Sequence, residues 1–270
     1  MRNRFVTSVV AAFALAALVS PSAIAADLSD VGYMDQAEIA NIPAFVDANR
    51  QLAAYKAQLD AQFDSAMKAA KTDADRQRIQ LDFQQRFSDK QREVVGPLFT
   101  RAQLAIASVA STHALSVVVD KRIVIYGGVD ITKDVESLFL SSQAITPPVA
   151  SPPPSSIGFV DQSALDQLPK VKAANDQMAQ YDQQQRALYG PQVAAAQHDK
   201  DQTKAQSIYQ QYQKAVDDKQ NELLKPLVDQ TKSATADAAK KKNLILVVDR
   251  ADVLYGGTDI TSDVQNELNK

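Results

Sequence analysis

The chain has 270 residues, with 29 basic and 32 acidic side chains, no cysteine and no tryptophan. The lack of cysteine excludes disulfides, thiol chemistry and a lipid anchor on a cysteine. The slightly acidic balance argues against nucleic acid as a partner. Abundant Ala and Gln, with 6% aromatic residues, are typical of long solvated helices rather than of one thick core.

A secretory signal peptide is predicted over residues 1–25. Arg2 and Arg4 precede the apolar run FVTSVVAAFALAALV, and the small-x-small tripeptide Ala-Ile-Ala ends at Ala25. The apolar run is short for a membrane span, which disfavours the alternative of a retained anchor. We expect cleavage near Ala25, export, and no transmembrane span afterwards. The mature chain then carries 27 basic and 32 acidic residues, a net charge of −5.

One stretch of the sequence occurs twice. Residues 117–135 read VVVDKRIVIYGGVDITKDV and residues 246–264 read LVVDRADVLYGGTDITSDV, with twelve of nineteen positions identical at an offset of 129. A shorter match, VGYMDQ against IGFVDQ, begins at Val31 and at Ile157, an offset of 126. The chain is therefore predicted to be a tandem duplication of one module.

Each half is predicted to start with a short strand and to continue into a long helical hairpin. Pro43 and Pro169 suit the first turn of a helix. Apolar residues at spacings of three and four then indicate two amphipathic helices. In the first half the tip lies near residues 72–75, where Thr72 or Asp73 caps the second helix. Gly190-Pro191 predicts a kink in the outgoing helix of the second half, or its end.

The repeated stretch follows the hairpin. In the first copy we expect a strand over 117–119, a turn from Asp120 and a second strand over 123–126. A short helix through Leu138 follows, with Thr132 and Asp134 as its capped, acidic start. The two glycines after the second strand suit a tight connection with positive φ. The second copy is expected to do the same.

The predicted fold class is α+β, mainly α. It comprises two tandem modules, each a small β body with a long antiparallel helical hairpin that forms a coiled-coil-like arm. At 1.5 Å per residue the arms are roughly 40–50 Å long. The predicted boundaries are a signal peptide at 1–25, a first module at 26–140, a Ser/Pro-rich linker at 141–156 and a second module at 157–270.

No constellation of residues predicts catalysis. Asp120 and Asp249 each end an apolar strand, where carboxylates can bind metal, but no phosphate-binding loop or second carboxylate accompanies them, so turn initiation is favoured. His113 and His198 are not equivalent in the repeat, and a zinc site is not expected. No Gly-x-Ser-x-Gly elbow is present. We predict no catalytic residue, no metal, no cofactor and no enzyme activity.

The apolar stripes of the arms have two interpretations. The stripes can pack the two helices of one hairpin against each other, or they can leave an adaptable apolar surface for variable partners. The candidate client-binding residues are aromatic residues and methionines of the two arms: Phe63, Met67, Phe83, Phe87, Met178, Tyr181, Tyr209 and Tyr212.

The signal peptide, first strand, helical hairpin and tail V-V-D…Y-G-G-x-D-I-T-x-D-V together resemble the Skp/OmpH family of periplasmic chaperones. Residues 118–135 and 247–264 both match the tail. The resemblance implies a periplasmic, ATP-independent holdase whose arms enclose unfolded outer-membrane β-barrel proteins and whose body forms homo-oligomers through its sheets. The candidate oligomerisation residues are Val118, Val119, Tyr126, Val247, Val248 and Tyr255.

Three departures from the family's best-known members bear on function. Those members carry one module and form trimers, so pairs of rings, a pseudo-symmetric dimer and another stoichiometry are all open for a two-module chain. The arms look shorter, which predicts a smaller cage. A net charge of −5 argues against lipopolysaccharide as a partner, because those members are strongly basic. The alternative function is a structural or scaffolding coiled-coil protein of the cell envelope.

Overall fold

The computed structural model describes residues 28–269, which form two compact units. The N-terminal unit contains residues 28–155 together with Asp252–Gly257, and the C-terminal unit contains Ser156–Ala251 and residues 258–269. The predicted signal peptide lies outside the described residues. Most of the chain is helical and each unit has one small sheet, so the mainly helical α+β class is confirmed.

The elements follow a similar order in the two halves of the sequence. The first half forms β1 (Val31–Met34), α1 (Gln36–Ala40), α2 (Pro43–Ala69), α3 (Asp73–Thr112), β2 (Val117–Asp120), a 3-10 helix (Lys121–Ile123), β3 (Val129–Asp130) and α4 (Thr132–Leu140). The second half forms β4 (Ile157–Val160), α5 (Gln162–Asp166), α6 (Pro169–His198), α7 (Gln202–Leu223), α8 (Lys225–Lys241), β5 (Leu246–Asp249), a 3-10 helix (Arg250–Asp252), β6 (Val253–Gly256), β7 (Thr258–Asp259) and α9 (Thr261–Leu268).

The two sheets differ by one strand. In the N-terminal unit the order is β3-β1-β2-β6, with β1 parallel to β2 and β3, and β6 antiparallel to β2. In the C-terminal unit the order is β5-β4-β7, and all pairs are parallel. A strand from the second half of the sequence thus completes the sheet of the N-terminal unit.

The prediction of a second strand over residues 123–126 is wrong. Lys121–Ile123 forms a 3-10 helix, with Asp120 accepting a hydrogen bond from the backbone N–H of Arg122 at 2.8 Å. Within the described residues no strand covers 124–127, although the equivalent residues of the second half form β6. A strand exists only where its backbone groups find a partner, and of the two copies only β6 has one.

The N-terminal arm is a hairpin of α2 and α3. Pro43 occupies the first turn of α2, and the Thr72 hydroxyl accepts a hydrogen bond from the backbone N–H of Asp75 at 3.1 Å, so both predicted signals are confirmed. With 27 and 40 residues, the helices are about 40 and 60 Å long. The C-terminal arm is formed by α6 and α7, and α6 continues through Pro191 to His198. The alternative that this helix ends at Gly190-Pro191 is therefore wrong.

The helix after the repeated strand starts with a different cap from the predicted one. Thr132 is already helical, and Asp130 Oδ1 accepts the hydrogen bond from its backbone N–H at 2.9 Å. The Thr132 hydroxyl instead accepts a hydrogen bond from the backbone N–H of Asp35 at 3.0 Å, which joins α4 to the end of β1. Thr261 makes the same connection to Asp161 at 2.9 Å in the C-terminal unit.

Each unit has its own apolar core. The larger one, in the N-terminal unit, combines the base of the arm with the sheet and α4, and includes Phe45, Ile106, Leu115, Val118 and Val135. The smaller one packs α8 and α9 on β4 and includes Leu165, Leu244, Ile260 and Val264. Among the described residues, α3 alone has the length and apolar composition that could cross a membrane, and its C-terminal part contributes Ala105 and Ala110 to the larger core.

Candidate functional site

The centre of the body is the pairing of β2 with β6. Val117 lies opposite Gly256, Val118 opposite Tyr255 and Val119 opposite Val253, with an irregularity between Val118 and Val119. All four residues of β2 are buried, because a strand covers each of its edges. Val253 is also buried, at 4% exposure. This pairing brings three candidate oligomerisation residues together, namely Val118, Val119 and Tyr255.

Gly256 has a steric requirement that only glycine meets. Its φ is +64°, and a Cβ atom there would collide with the backbone carbonyl of Ser116. The next residue, Gly257, donates its backbone N–H to the same carbonyl at 3.0 Å. The Gly-Gly pair of the repeat therefore allows β6 to approach the start of β2 closely.

Asp120 has a structural role at the end of β2. Its carboxylate is 1% exposed and accepts hydrogen bonds from Gln36 Nε2 at 2.6 Å, from the Arg122 backbone N–H at 2.8 Å and from Arg122 Nε at 3.0 Å. These contacts use the acceptor capacity of the carboxylate. Within residues 28–269 no group of three or more His, Cys, Asp or Glu side chains is placed to hold a metal ion.

Asp120→Ala is expected to lower the free energy of unfolding of the N-terminal unit by about 2–3 kcal/mol, because three hydrogen bonds to a buried carboxylate are lost. The matched variant is Asp249→Ala, since Asp249 is exposed and accepts a hydrogen bond from the Ala251 backbone N–H at 2.8 Å. We expect it to cost less than about 1 kcal/mol. Urea denaturation followed by circular dichroism compares the two, and equal losses would contradict the structural role.

The counterparts of β2 and β6 in the repeat are β5 and residues 124–127, and both have exposed apolar side chains. In β5, Val247 and Val248 are half-buried, Leu246 is 39% exposed and the preceding Ile245 is 47% exposed. Residues 124–127 include Ile125 and Tyr126, which are fully and almost fully exposed, at 102% and 94%. The structure thus separates the candidate oligomerisation residue Tyr126 from Val118 and Val119, and leaves it in solvent. Burial, by contrast, raises the pKa of the Tyr255 hydroxyl.

In the N-terminal arm the candidate client-binding residues face the partner helix. The rings of Phe63 and Phe83 lie 4.9 Å apart, and Met67 and Phe87 are half-buried beside the same seam. A side chain that packs in this way stabilises the hairpin and offers only its outer edge to another molecule.

The C-terminal arm uses a more polar seam. Tyr212 lies 6.2 Å from Tyr189 and 6.1 Å from Tyr209 between ring centroids, and its hydroxyl donates a hydrogen bond to Asp182 Oδ1 at 2.5 Å. Burial, and then this hydrogen bond, raises the pKa of Tyr212. Met178 and Tyr181 are half-buried, whereas Tyr209 is 52% exposed. Of the eight candidates, Tyr209 is therefore the most accessible.

Three large apolar residues that the arms expose are absent from the residues predicted from the sequence. Leu81 is 60%, Phe99 58% and Leu188 55% exposed. The periodic pattern selects residues on the stripe that faces the partner helix and does not include these three, although the ring of Phe99 contacts Phe45 of α2 edge-on, at 5.8 Å between centroids. Their signal in the sequence is an apolar residue that interrupts the polar face of an amphipathic helix.

Comparison with known proteins finds a family match for the second half of the chain. Residues 156–268 match the OmpH-like family, whose model is described as Outer membrane protein (OmpH-like). The match includes the second copy of the tail and supports a relation to the OmpH/Skp family, and with it a chaperone-type role in general. No curated protein and no solved structure matches the chain.

Proposed function

We propose that the protein is an ATP-independent periplasmic holdase that binds unfolded outer-membrane β-barrel proteins along its helical arms. In this proposal residues 26–140 and 157–270 are two modules of the OmpH/Skp type, joined by the linker 141–156, and copies of the chain associate through their body sheets. The OmpH-like match over residues 156–268 supports the class of function. The repeat extends the argument to the first half.

The exposed apolar residues of the arms are the observation that carries the proposal. Four of them are spread over both arms: Leu81, Phe99, Leu188 and Tyr209. Isolated apolar side chains bind weakly one at a time, but an unfolded chain contacts several at once and gains affinity by multivalency. Such binding needs no defined client sequence, which suits a chaperone.

The rest of the arm surface is strongly hydrated. Exposed ion pairs at helical spacing cover it, such as Lys56 with Asp60 at 2.7 Å and Lys214 with Asp218 at 3.0 Å. Exposed pairs of this kind add little to stability, but they keep the arms in solution and prevent arms from collapsing on one another. The half-buried candidates Phe63, Met67, Phe83 and Phe87 are proposed as secondary contacts through their outer edges.

The test is suppression of aggregation when a urea-unfolded outer-membrane barrel protein is diluted into the mature chain without ATP, followed by light scattering. We expect suppression near equimolar ratio that changes little with salt, because apolar contacts are not screened. Replacing Leu81, Phe99, Leu188 and Tyr209 together with serine should raise the chaperone concentration needed by about tenfold, since each loses part of its apolar contact area.

A matched control has serine at four exposed polar positions of the same helices, namely Gln84, Gln103, Gln184 and Gln210. It should suppress aggregation as the unaltered chain does. Equal activity of the two quadruple variants would show that clients bind elsewhere. No suppression by the unaltered chain at any ratio would favour the scaffold function, with a defined folded partner.

A further inference from the structure

The open edge of β5 and the uncovered segment 124–127 are equivalent to two surfaces that are already paired in this protein. We propose that residues 124–127 of one chain add to β5 of a second copy as an antiparallel strand, in the way that β6 adds to β2. The proposal specifies the surfaces of the self-association included in the proposed function, and its test does not use client binding.

The register of the proposed strand follows from the repeat. The paired strands β2 and β6 lie in different copies of the repeat, and each has its counterpart at an offset of 129. Replacing each residue of β2 by its counterpart in β5, and each residue of β6 by its counterpart in 124–127, gives the predicted pairs. They are Leu246 with Gly127, Val247 with Tyr126, and Val248 with Val124. Ile125 then takes the place of Leu254 at the irregularity.

The exposure of the two surfaces agrees with a missing partner. Val117 and Val118 of β2 are fully buried, whereas their counterparts in β5 are less so: Leu246 is 39% exposed and Val247 is half-buried. Val253 of β6 is 4% exposed, whereas Ile125 and Tyr126 stand in solvent. An edge strand flanked by exposed apolar side chains is a template for strand addition unless charge or proline blocks it.

The backbone of the free segment already has the conformation that pairing requires. Gly127 and Gly128 have φ values of +84° and +81°, beside +64° and +79° at Gly256 and Gly257. In the observed pairing this conformation lets Gly257 donate to the Ser116 carbonyl. In the proposed pairing Gly128 donates to the carbonyl of Ile245. Little conformational rearrangement of this turn is then needed on association.

One ion pair beside the observed pairing has no equivalent beside the proposed one. Next to the observed pairing, Arg122 Nη2 lies 3.7 Å from Asp252 Oδ1. The counterparts of these two residues are Ala251 and Ile123, both apolar, so this ion pair is not repeated beside the proposed pairing. Ile123 is 39% exposed and gains cover.

The number of surfaces predicts the stoichiometry. In the proposed pairing each chain contributes one accepting edge, β5, and one added segment, 124–127. Reciprocal exchange between two chains uses both edges and both segments in an isologous, two-fold dimer, whereas one-way exchange would leave an open edge at each end of a growing fibre. We therefore infer a dimer.

Engineered cysteines test the pairing directly, because the chain has none of its own. A Tyr126→Cys chain is mixed with a Val247→Cys chain that carries a tag of different size, and the mixture is oxidised mildly. Paired β residues place Cα atoms about 4.5–5.5 Å apart, which a disulfide can bridge. We expect a covalent mixed dimer as the main product on a non-reducing gel.

Val149→Cys in place of Tyr126→Cys provides the control, because Val149 is fully exposed, at 105%, and outside the proposed pairing. Mixed dimer at the control level would overturn the proposal. So would a Tyr126→Cys/Val247→Cys double variant that crosslinks only within one chain, since the segment would then pair with its own β5.

Sedimentation equilibrium supplies a second readout. The unaltered chain should form a dimer, and Leu246→Lys should weaken association at least about tenfold, because a charge at a strand edge opposes strand addition. Leu140→Lys, at a residue that is 56% exposed and away from both surfaces in sequence, should leave association unchanged. Circular dichroism of both variants verifies that they are folded. A monomeric unaltered chain, or equal association of the two variants, would contradict the proposal whatever the holdase assay shows.

Discussion

Val253→Asp is expected to unfold the N-terminal unit, although Val253 lies in the second half of the sequence. Val253 is 4% exposed and lies opposite Val119 in a buried strand pair. A carboxylate in this place either is buried without a partner or removes β6 from the sheet, and the expected loss of free energy of unfolding is about 3–5 kcal/mol. Hydrogen exchange measures where the loss falls, and we expect it in β2 and in residues 101–112 of α3.

The matched variant is Val124→Asp, because Val124 is the counterpart of Val253 in the repeat and has no strand partner among the described residues. Below the concentration at which chains associate, it should cost less than about 1 kcal/mol. If Val253→Asp instead increased exchange mainly in β4, β5 and α9, the pairing of β6 with β2 would be contradicted. Equal effects of the two variants would contradict it as well.

Gly256→Ala is expected to have the second-largest effect. A Cβ atom at Gly256 collides with the Ser116 backbone carbonyl, and the φ of +64° strains any residue other than glycine. The two costs together amount to about 2–4 kcal/mol. Thermal or urea unfolding of the N-terminal unit measures the loss.

Gly127→Ala separates the two costs. Gly127 also has a positive φ, +84°, but the nearest atom to a Cβ there is Leu28 Cδ1, at an ordinary 3.5 Å. In the dissociated chain this variant should lower the free energy of unfolding by about 1–2 kcal/mol, because only the strained φ contributes. Gly127→Ala as costly as Gly256→Ala would show that the collision with the Ser116 carbonyl is unimportant.

The arms were predictable because their signals are local. Periodic apolar residues define a helix face, Pro43 suits a first turn, and Thr72 accepts the hydrogen bond of a free N–H at a helix start. The cap of α4 was predicted less well, because Thr132 and Asp130 both offer an oxygen. Which oxygen caps the helix depends on the backbone N–H of Asp35, a residue distant in sequence.

The strand exchange was not predictable from the sequence. The segments that begin at Val124 and at Val253 share V-x-Y-G-G, so their local preferences are nearly the same. Only one of them forms a strand, and that outcome depends on which strand edge each can reach. Such non-local competition leaves no trace in a pattern of residue types.

The candidate site was predictable only as a class. The apolar stripe correctly predicts that residues such as Phe63 and Phe83 form an apolar cluster. However, their rings pack against each other within the hairpin, with centroids 4.9 Å apart, so most of this apolar surface is buried between the two helices. Exposed residues such as Leu81 carry no periodic signal of their own. Their accessibility becomes visible only when the rotation of each helix against its partner is known.

The most direct measurement of holdase activity uses the absence of tryptophan from this chain. A urea-unfolded outer-membrane barrel protein that contains tryptophan is diluted with increasing mature chain and no ATP, and all tryptophan fluorescence then comes from the client. We predict a blue shift that saturates near a fixed ratio, because client side chains leave water for the apolar residues of the arms. The same barrel protein already folded in detergent should give no shift. An unchanged spectrum of the unfolded client at every ratio would contradict the holdase function.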